Sequence, residues 1–197
     1  MNVNSMEPQT WLIVAAIVAV VLILVALFVY QKNQSRRLQQ RFGPEYRRAV
    51  DELGRTKAEA ELKAREKRVE KLHIAALAPA EAASFNERWK AIQERFVDHP
   101  KGAVLEADKL VRELMQRRGY PMGDFERRAA DISVDHPNVV SNYRAAQAIA
   151  TRAGRDAIDT EELRKALVHY RVLFAELLEV KNAKHEVMSG KHVEVRT

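Results

Sequence analysis

The residues best suited to chemistry form a repeated tetrapeptide: Val97-Asp98-His99-Pro100 recurs 37 residues later as Val134-Asp135-His136-Pro137. An Asp beside a His could move protons or contribute to a metal site, since both side chains are ligands and the imidazole titrates near neutrality. The same residues also make a good helix start. Asp accepts backbone N–H bonds, Pro presets the first turn, and the acid complements the helix dipole. Adjacent side chains on a regular element do not converge on one ion, so capping is the preferred reading, with Pro100 and Pro137 each opening a helix. Two copies also fall short of the three or so repeats that a solenoid needs.

Other chemistry is thinly represented. His73, His169, His185 and His192 show no HExxH-type spacing. The pair Glu161-Glu162 begins a helix and reads as a dipole complement. Phosphate-binding and nucleophile-elbow motifs are missing, and cysteine is absent, which excludes disulfides, thiol catalysis and Cys-based metal sites. The sequence therefore points to no cofactor, no metal and no catalytic residue. An enzyme is left open, with no motif arguing for one. The most idiosyncratic stretch is Arg118-Gly119-Tyr120-Pro121-Met122-Gly123-Asp124-Phe125. Its Tyr120, Pro121 and Met122 form a candidate partner-binding knuckle, because loops often carry function. The competing reading is that the aromatics fold back and close one end of a helical domain.

The elements that would position these residues are helical throughout. Gly43-Pro44 and Gly54 break up a charged region, within which Arg55 to His73 reads as a helix with Glu59/Lys63 and Glu61/Arg65 pairs. Ala58, Leu62, Arg65, Val69 and Leu72 give an a/d seam of about two heptads, shorter than a convincing coiled coil. Beyond it, apolar residues recur at helical spacing: Phe85, Trp89, Ile92 and Phe96; Val104, Ala107, Val111 and Leu114; Phe125, Ala129 and Ile132; and Val139, Tyr143, Ala146 and Ala150. The strongest stripe, Leu163, Ala166, Leu167, Tyr170, Leu173, Phe174 and Leu177, is expected at the centre of the core. Gly119 and Gly154 supply stops, and Asp159 or Thr160 a cap. The tail from Asn182 is polar and is expected to be disordered.

Ahead of all this, Trp11 to Tyr30 is a run of twenty residues with no charge, Gly or Pro. At about 1.5 Å per residue it matches the roughly 30 Å hydrocarbon core of a bilayer, and Trp11 and Tyr30 stand where interfacial rings belong. The first ten residues lack the basic region of a signal peptide, and no small-residue cleavage site follows the run. Lys32, Arg36, Arg37 and Arg41 follow at once, while no basic residue precedes the run, so the positive-inside rule puts the C-terminal part in the cytoplasm. Residues 32–71 hold 13 basic and 7 acidic side chains, which alone equals the chain's net charge of +6. These four basic residues are candidate contacts for anionic lipid head groups. A nucleic-acid role for residues 32–71 is the weaker alternative, because the remainder is nearly neutral.

Arg41-Phe42-Gly43-Pro44-Glu45-Tyr46, Glu70-Lys71-Leu72, Arg88-Trp89, Arg95-Phe96-Val97-Asp98, Arg118-Gly119-Tyr120-Pro121 and His169-Tyr170-Arg171 resemble a group of uncharacterised bacterial proteins. These carry an N-terminal segment, often membrane-spanning, ahead of a helical region. The resemblance covers about Arg41 to Glu179 and implies a bacterial, membrane-tethered helical module. That group has no established activity or catalytic residues, so no site is transferred.

The reading is an all-α chain with five parts: a short extracytoplasmic N-terminus (1–10), a transmembrane helix (11–30), a basic juxtamembrane helical spacer (31–73), a small soluble helical bundle (74–181) and a disordered tail (182–197). The expected role is that of a single-pass membrane-anchored interaction or scaffold protein, whose partners are the lipid bilayer and either a protein or a second copy of itself. The rival reading is a membrane-tethered enzyme or metal protein using the Asp-His pairs.

Overall fold

A computed structural model describes residues 8–155 and 157–189 of the chain. All secondary structure among them is α-helical, and the chain divides into two compact units at the Arg41–Phe42 junction. The first unit is dominated by α1 (Pro8–Phe42), a 35-residue helix. The large apolar side chains of its first part are exposed, Leu12 at 71% and Phe28 at 66%, whereas Leu38 and Phe42 near its end are buried. This helix is long and apolar enough to cross a membrane. The helix does not stop where the apolar run stops. It continues through the basic flank, where Gln34 donates to the Tyr30 hydroxyl at 2.9 Å and Ser35 to the Gln31 carbonyl at 3.1 Å.

The second unit holds α2 (Pro44–Leu53), α3 (Arg55–Val69), α4 (Pro79–Arg95), α5 (Pro100–Arg117), α6 (Phe125–Asp135), α7 (Val140–Arg155) and α8 (Thr160–Ser189). The sequence punctuation is visible at the joints. Pro44, Pro79 and Pro100 each stand in the first turn of a helix, where the missing N–H costs nothing. Glu81 reaches back to the Ala78 amide at 3.1 Å, and the Asp124 carboxylate accepts the Arg127 amide at 2.8 Å. At the end of α5, Gly119 takes φ +98°; its amide bonds to the Gln116 carbonyl and the Tyr120 amide to the Met115 carbonyl, a Schellman closure.

The α8 stripe lies at the centre as expected. It packs on α7 and α5, α4 covers α5, and Leu163, Ala166, Tyr170, Leu173, Phe174 and Leu177 are all buried. Trp89 of α4 stacks on Phe174 with ring centroids 4.7 Å apart, and Phe125 meets Tyr143 edge-on at 5.0 Å.

Several boundaries differ from the sequence reading. Helices α2 and α3 belong to the same compact unit as the bundle, which begins at Phe42 rather than residue 74. The reason is the a/d-like seam: Ala58, Leu62, Arg65 and Val69 are buried within the chain, with α3 lying on α2 and α6. Pro137 does not open α7. Helix α6 runs on to Asp135, His136 caps it, and Pro137 to Val139 form a tight turn, with the Val139 amide on the His136 carbonyl at 3.3 Å, before α7 starts at Val140. The polar tail expected from residue 182 is helical through Ser189, as the end of α8; residues 190–197 lie outside the described residues.

Candidate functional site

The two Asp-His pairs are not equivalent in space. His99 is the N-cap residue of α5 and makes no side-chain cap bond, and Asp98 is exposed beside it. Neither residue therefore performs the capping role expected from sequence. In the second copy, His136 is buried and its Nδ1 lies 3.1 Å from Glu176 Oε1 on α8. Asp135 accepts the Tyr120 hydroxyl at 3.1 Å. The repeat is thus one exposed corner and one buried tie between α6, α8 and the loop after α5. His169 lies with Nδ1 2.8 Å from Asn142 Oδ1, which ties α8 to α7. Among the described residues, no three His, Asp or Glu side chains are grouped to hold a metal ion.

The candidate knuckle is divided by its own packing. Tyr120 is only 3% exposed, and burial, reinforced by the Asp135 carboxylate, pushes its phenol pKa far above the ordinary value. Arg118, equally buried, donates Nη1 to the Leu177 carbonyl at 2.7 Å. These two residues close the end of the bundle. Pro121 and Met122 remain exposed at the tip, so a partner surface there would rest on those two residues and not on Tyr120. The candidate lipid contacts Lys32, Arg36, Arg37 and Arg41 all lie exposed on the C-terminal part of α1.

Sequence reasoning missed the most concentrated chemistry in the molecule. The Glu45 side chain, 3% exposed, lies at the start of α2, and its Oε1 accepts from three guanidiniums: Arg65 of α3 at 3.1 Å, Arg144 of α7 at 3.1 Å and Arg48 of α2 at 3.4 Å. Arg65 also reaches Glu61 at 3.1 Å and Ser133 of α6 at 3.4 Å. Arg144 continues to Glu126 at 2.5 Å. Beside this hub, Arg68 Nε donates to Asp131 Oδ1 at 2.7 Å; the Asp131 side chain is 1% exposed and its other oxygen has no partner. Glu45 stands in the RFGPEY string, which carried no sign of this hub, because Arg65 and Arg144 lie 20 and 99 residues away in sequence. A smaller buried group joins α5 to α8: the Tyr170 hydroxyl donates to Asp108 Oδ1 at 2.9 Å, and Arg112 binds the other oxygen at 2.9 Å. Burial and the Asp108 charge hold the Tyr170 phenol well above its usual pKa.

These carboxylates and guanidiniums neutralise one another, which is the signature of ion pairs that set geometry rather than of acids and bases aimed at an open cleft. A cleft of about 310 Å³ lies along α4 and α5 between Arg88, Ile92, Arg95, Glu106 and Lys109. Its two arginines are already paired, Arg88 with Glu113 and Arg95 with Glu106, each at 2.5 Å. No protein-family model matches the chain, and neither a curated protein nor a solved structure matches it.

Proposed function

We propose that this chain is a single-pass protein of a bacterial inner membrane, with its short N-terminal end outside and its helical unit in the cytoplasm, and that it works by interaction, as a tethered adaptor or scaffold, rather than by catalysis. The observation that carries the reading is the first half of α1, whose large apolar side chains lie uncovered over the length of a bilayer core. The exposed Lys32, Arg36, Arg37 and Arg41 directly after it support the orientation and contact with anionic lipid. The pairing of the buried acids and bases with one another supports a structural use of that chemistry. The resemblance to membrane-tethered bacterial helical proteins agrees with this reading.

The test has two stages. The full-length tagged chain is recovered from cell membranes and its N-terminal peptide identified; loss of residues 1–30 would make α1 a cleaved signal and overturn the anchor. A phosphatase reporter fused after Thr197 is expected to be inactive, and activity would reverse the orientation. Cross-linking in intact cells is then run beside a Met122→Ser control. A reproducible protein partner is the expected result. The absence of any partner, including a second copy, would remove the interaction role.

A further inference from the structure

The helices that follow the apolar segment are attached to the bundle differently from all the others. The continuous hydrophobic core draws its buried members from α4 to α8 and from the loops at Leu77 and Tyr120, and none from α2 or α3. The buried apolar residues of that hairpin, Tyr46, Ala49, Ala58, Leu62 and Val69, lie outside the core. Helices α2 and α3 pack chiefly on each other and meet the rest mainly through α3 on α6 and α2 on α7. What lies along that boundary is charge. Glu45 is held by Arg65 and Arg144, and Asp131 by Arg68, with the two acids almost wholly buried. The joints at the hairpin's ends are free of regular structure: Gly43 at φ +48° before α2, and an irregular stretch, residues 72–78, before α4.

We propose that the α2–α3 hairpin is a releasable strap, which parts from the α6–α7 face as one unit along the ionic seam of Glu45, Arg65, Arg68, Asp131 and Arg144 while α4, α5, α7 and α8 stay folded. Two terms make the parting cheap. The contact between α2 and α3 survives release. The seam charges regain water when exposed, so the desolvation cost of a buried ion pair is returned on opening. The same physics makes closure specific, because a strap docked out of register leaves a charge buried without its partner. Release bares the α6 surface around Asp131 and Ser133. Regions of low local stability of this kind are the usual moving parts of proteins.

The test is native-state hydrogen exchange on the full-length chain in detergent micelles, at rising sub-denaturing urea. Amides of α2 and α3 are expected to exchange through one shared opening, well before those of α5 and α8. Glu45→Gln leaves Arg65 and Arg144 without their counter-charge and is expected to speed exchange in α2 and α3 about 100-fold or more, with α5 and α8 little changed. Arg68→Gln, at the more exposed pair, is expected to act on the same amides by a smaller factor, and covers the case in which Glu45→Gln fails to fold. Equal protection of α3 and α8 in the parent chain overturns the strap. So does a variant that accelerates all helices together, or none.

Discussion

Gly119 offers a sharp test of how the end of the bundle is closed. A methyl group there meets two separate obstacles. The residue has φ +98°, a region costing an L-residue about 1–2 kcal/mol. The added Cβ would also be driven into the His73 carbonyl oxygen and stand only 3.3 Å from its carbon. That carbonyl has little room to retreat, because the Ala75 amide is bonded to the Arg118 carbonyl at 3.0 Å and holds the passing chain against this turn. Overpacking of this kind costs about 1–3 kcal/mol. Gly119→Ala should therefore lose roughly 2–5 kcal/mol, a fall in Tm of roughly 5–20 °C for a domain of this size. Two other glycines separate the terms. Gly54 has φ +74° and ψ 155°, a conformation almost confined to glycine, with no atom within 4 Å of an added Cβ, so Gly54→Ala should show the backbone cost alone, about 1–3 kcal/mol. Gly154 lies in α7 with open space around it, and Gly154→Ala should be neutral or stabilising by up to about 1 kcal/mol. The assay is thermal unfolding of the full-length chain in micelles, followed by near-ultraviolet circular dichroism. If Gly119→Ala and Gly54→Ala melt together, the His73 clash has been relieved and the reasoning fails.

Burial pushes the phenols of Tyr46, Tyr120, Tyr143 and Tyr170 above the ordinary value of 10.0, and nearby carboxylates add to the effect at Tyr46, Tyr120 and Tyr170. Because the folded state holds these protons more tightly than the unfolded one, their contribution to stability is intact below pH 10 and is lost as pH rises beyond it. An absorbance titration of tyrosinate should show these four residues resisting ionisation in the folded chain and losing that resistance in urea; no difference between folded and unfolded chain would contradict the burial. Trp89→Ala removes the ring stacked on Phe174 and should cost about 3–5 kcal/mol in denaturant unfolding, while Val97→Ala, at a side chain 83% exposed, should stay within about 0.5 kcal/mol of the parent.

The readable part of the sequence was its periodic part. The stripes from Phe85 to Phe96, Val104 to Leu114 and Leu163 to Leu177 face the core, with only Phe96 and Leu167 partly exposed, because a 3.6-residue repeat is local and one apolar face has one use. The Gly43-Pro44 and Gly54 breaks also fall where written, since they act through their own backbone. Two things were not readable. The repeated Val-Asp-His-Pro suggested two equal helix starts, yet the second copy closes α6 and buries His136 against Glu176 of α8, an outcome decided by that long-range contact and not by the tetrapeptide. The Glu45 hub was invisible because an ion pair has no period. Arg144 differs in no local way from the surface arginines around it until the fold brings it to a carboxylate 99 positions away.

The ion pairs of the buried Glu45 and Asp131 across the α2–α3 boundary use arginine: Arg65 and Arg144 at Glu45, and Arg68 at Asp131. A guanidinium keeps its charge at any pH a cell reaches, and it does not react with the acyl donors that modify an ammonium. Acetylation of the surface lysines could erase much of the positive charge along residues 32–71 and leave this fastening chemically untouched. The lysine charge and the internal arginine charge are thereby insulated from each other, and amine-directed cross-linkers can be used on the folded chain without cutting the ties that hold it closed.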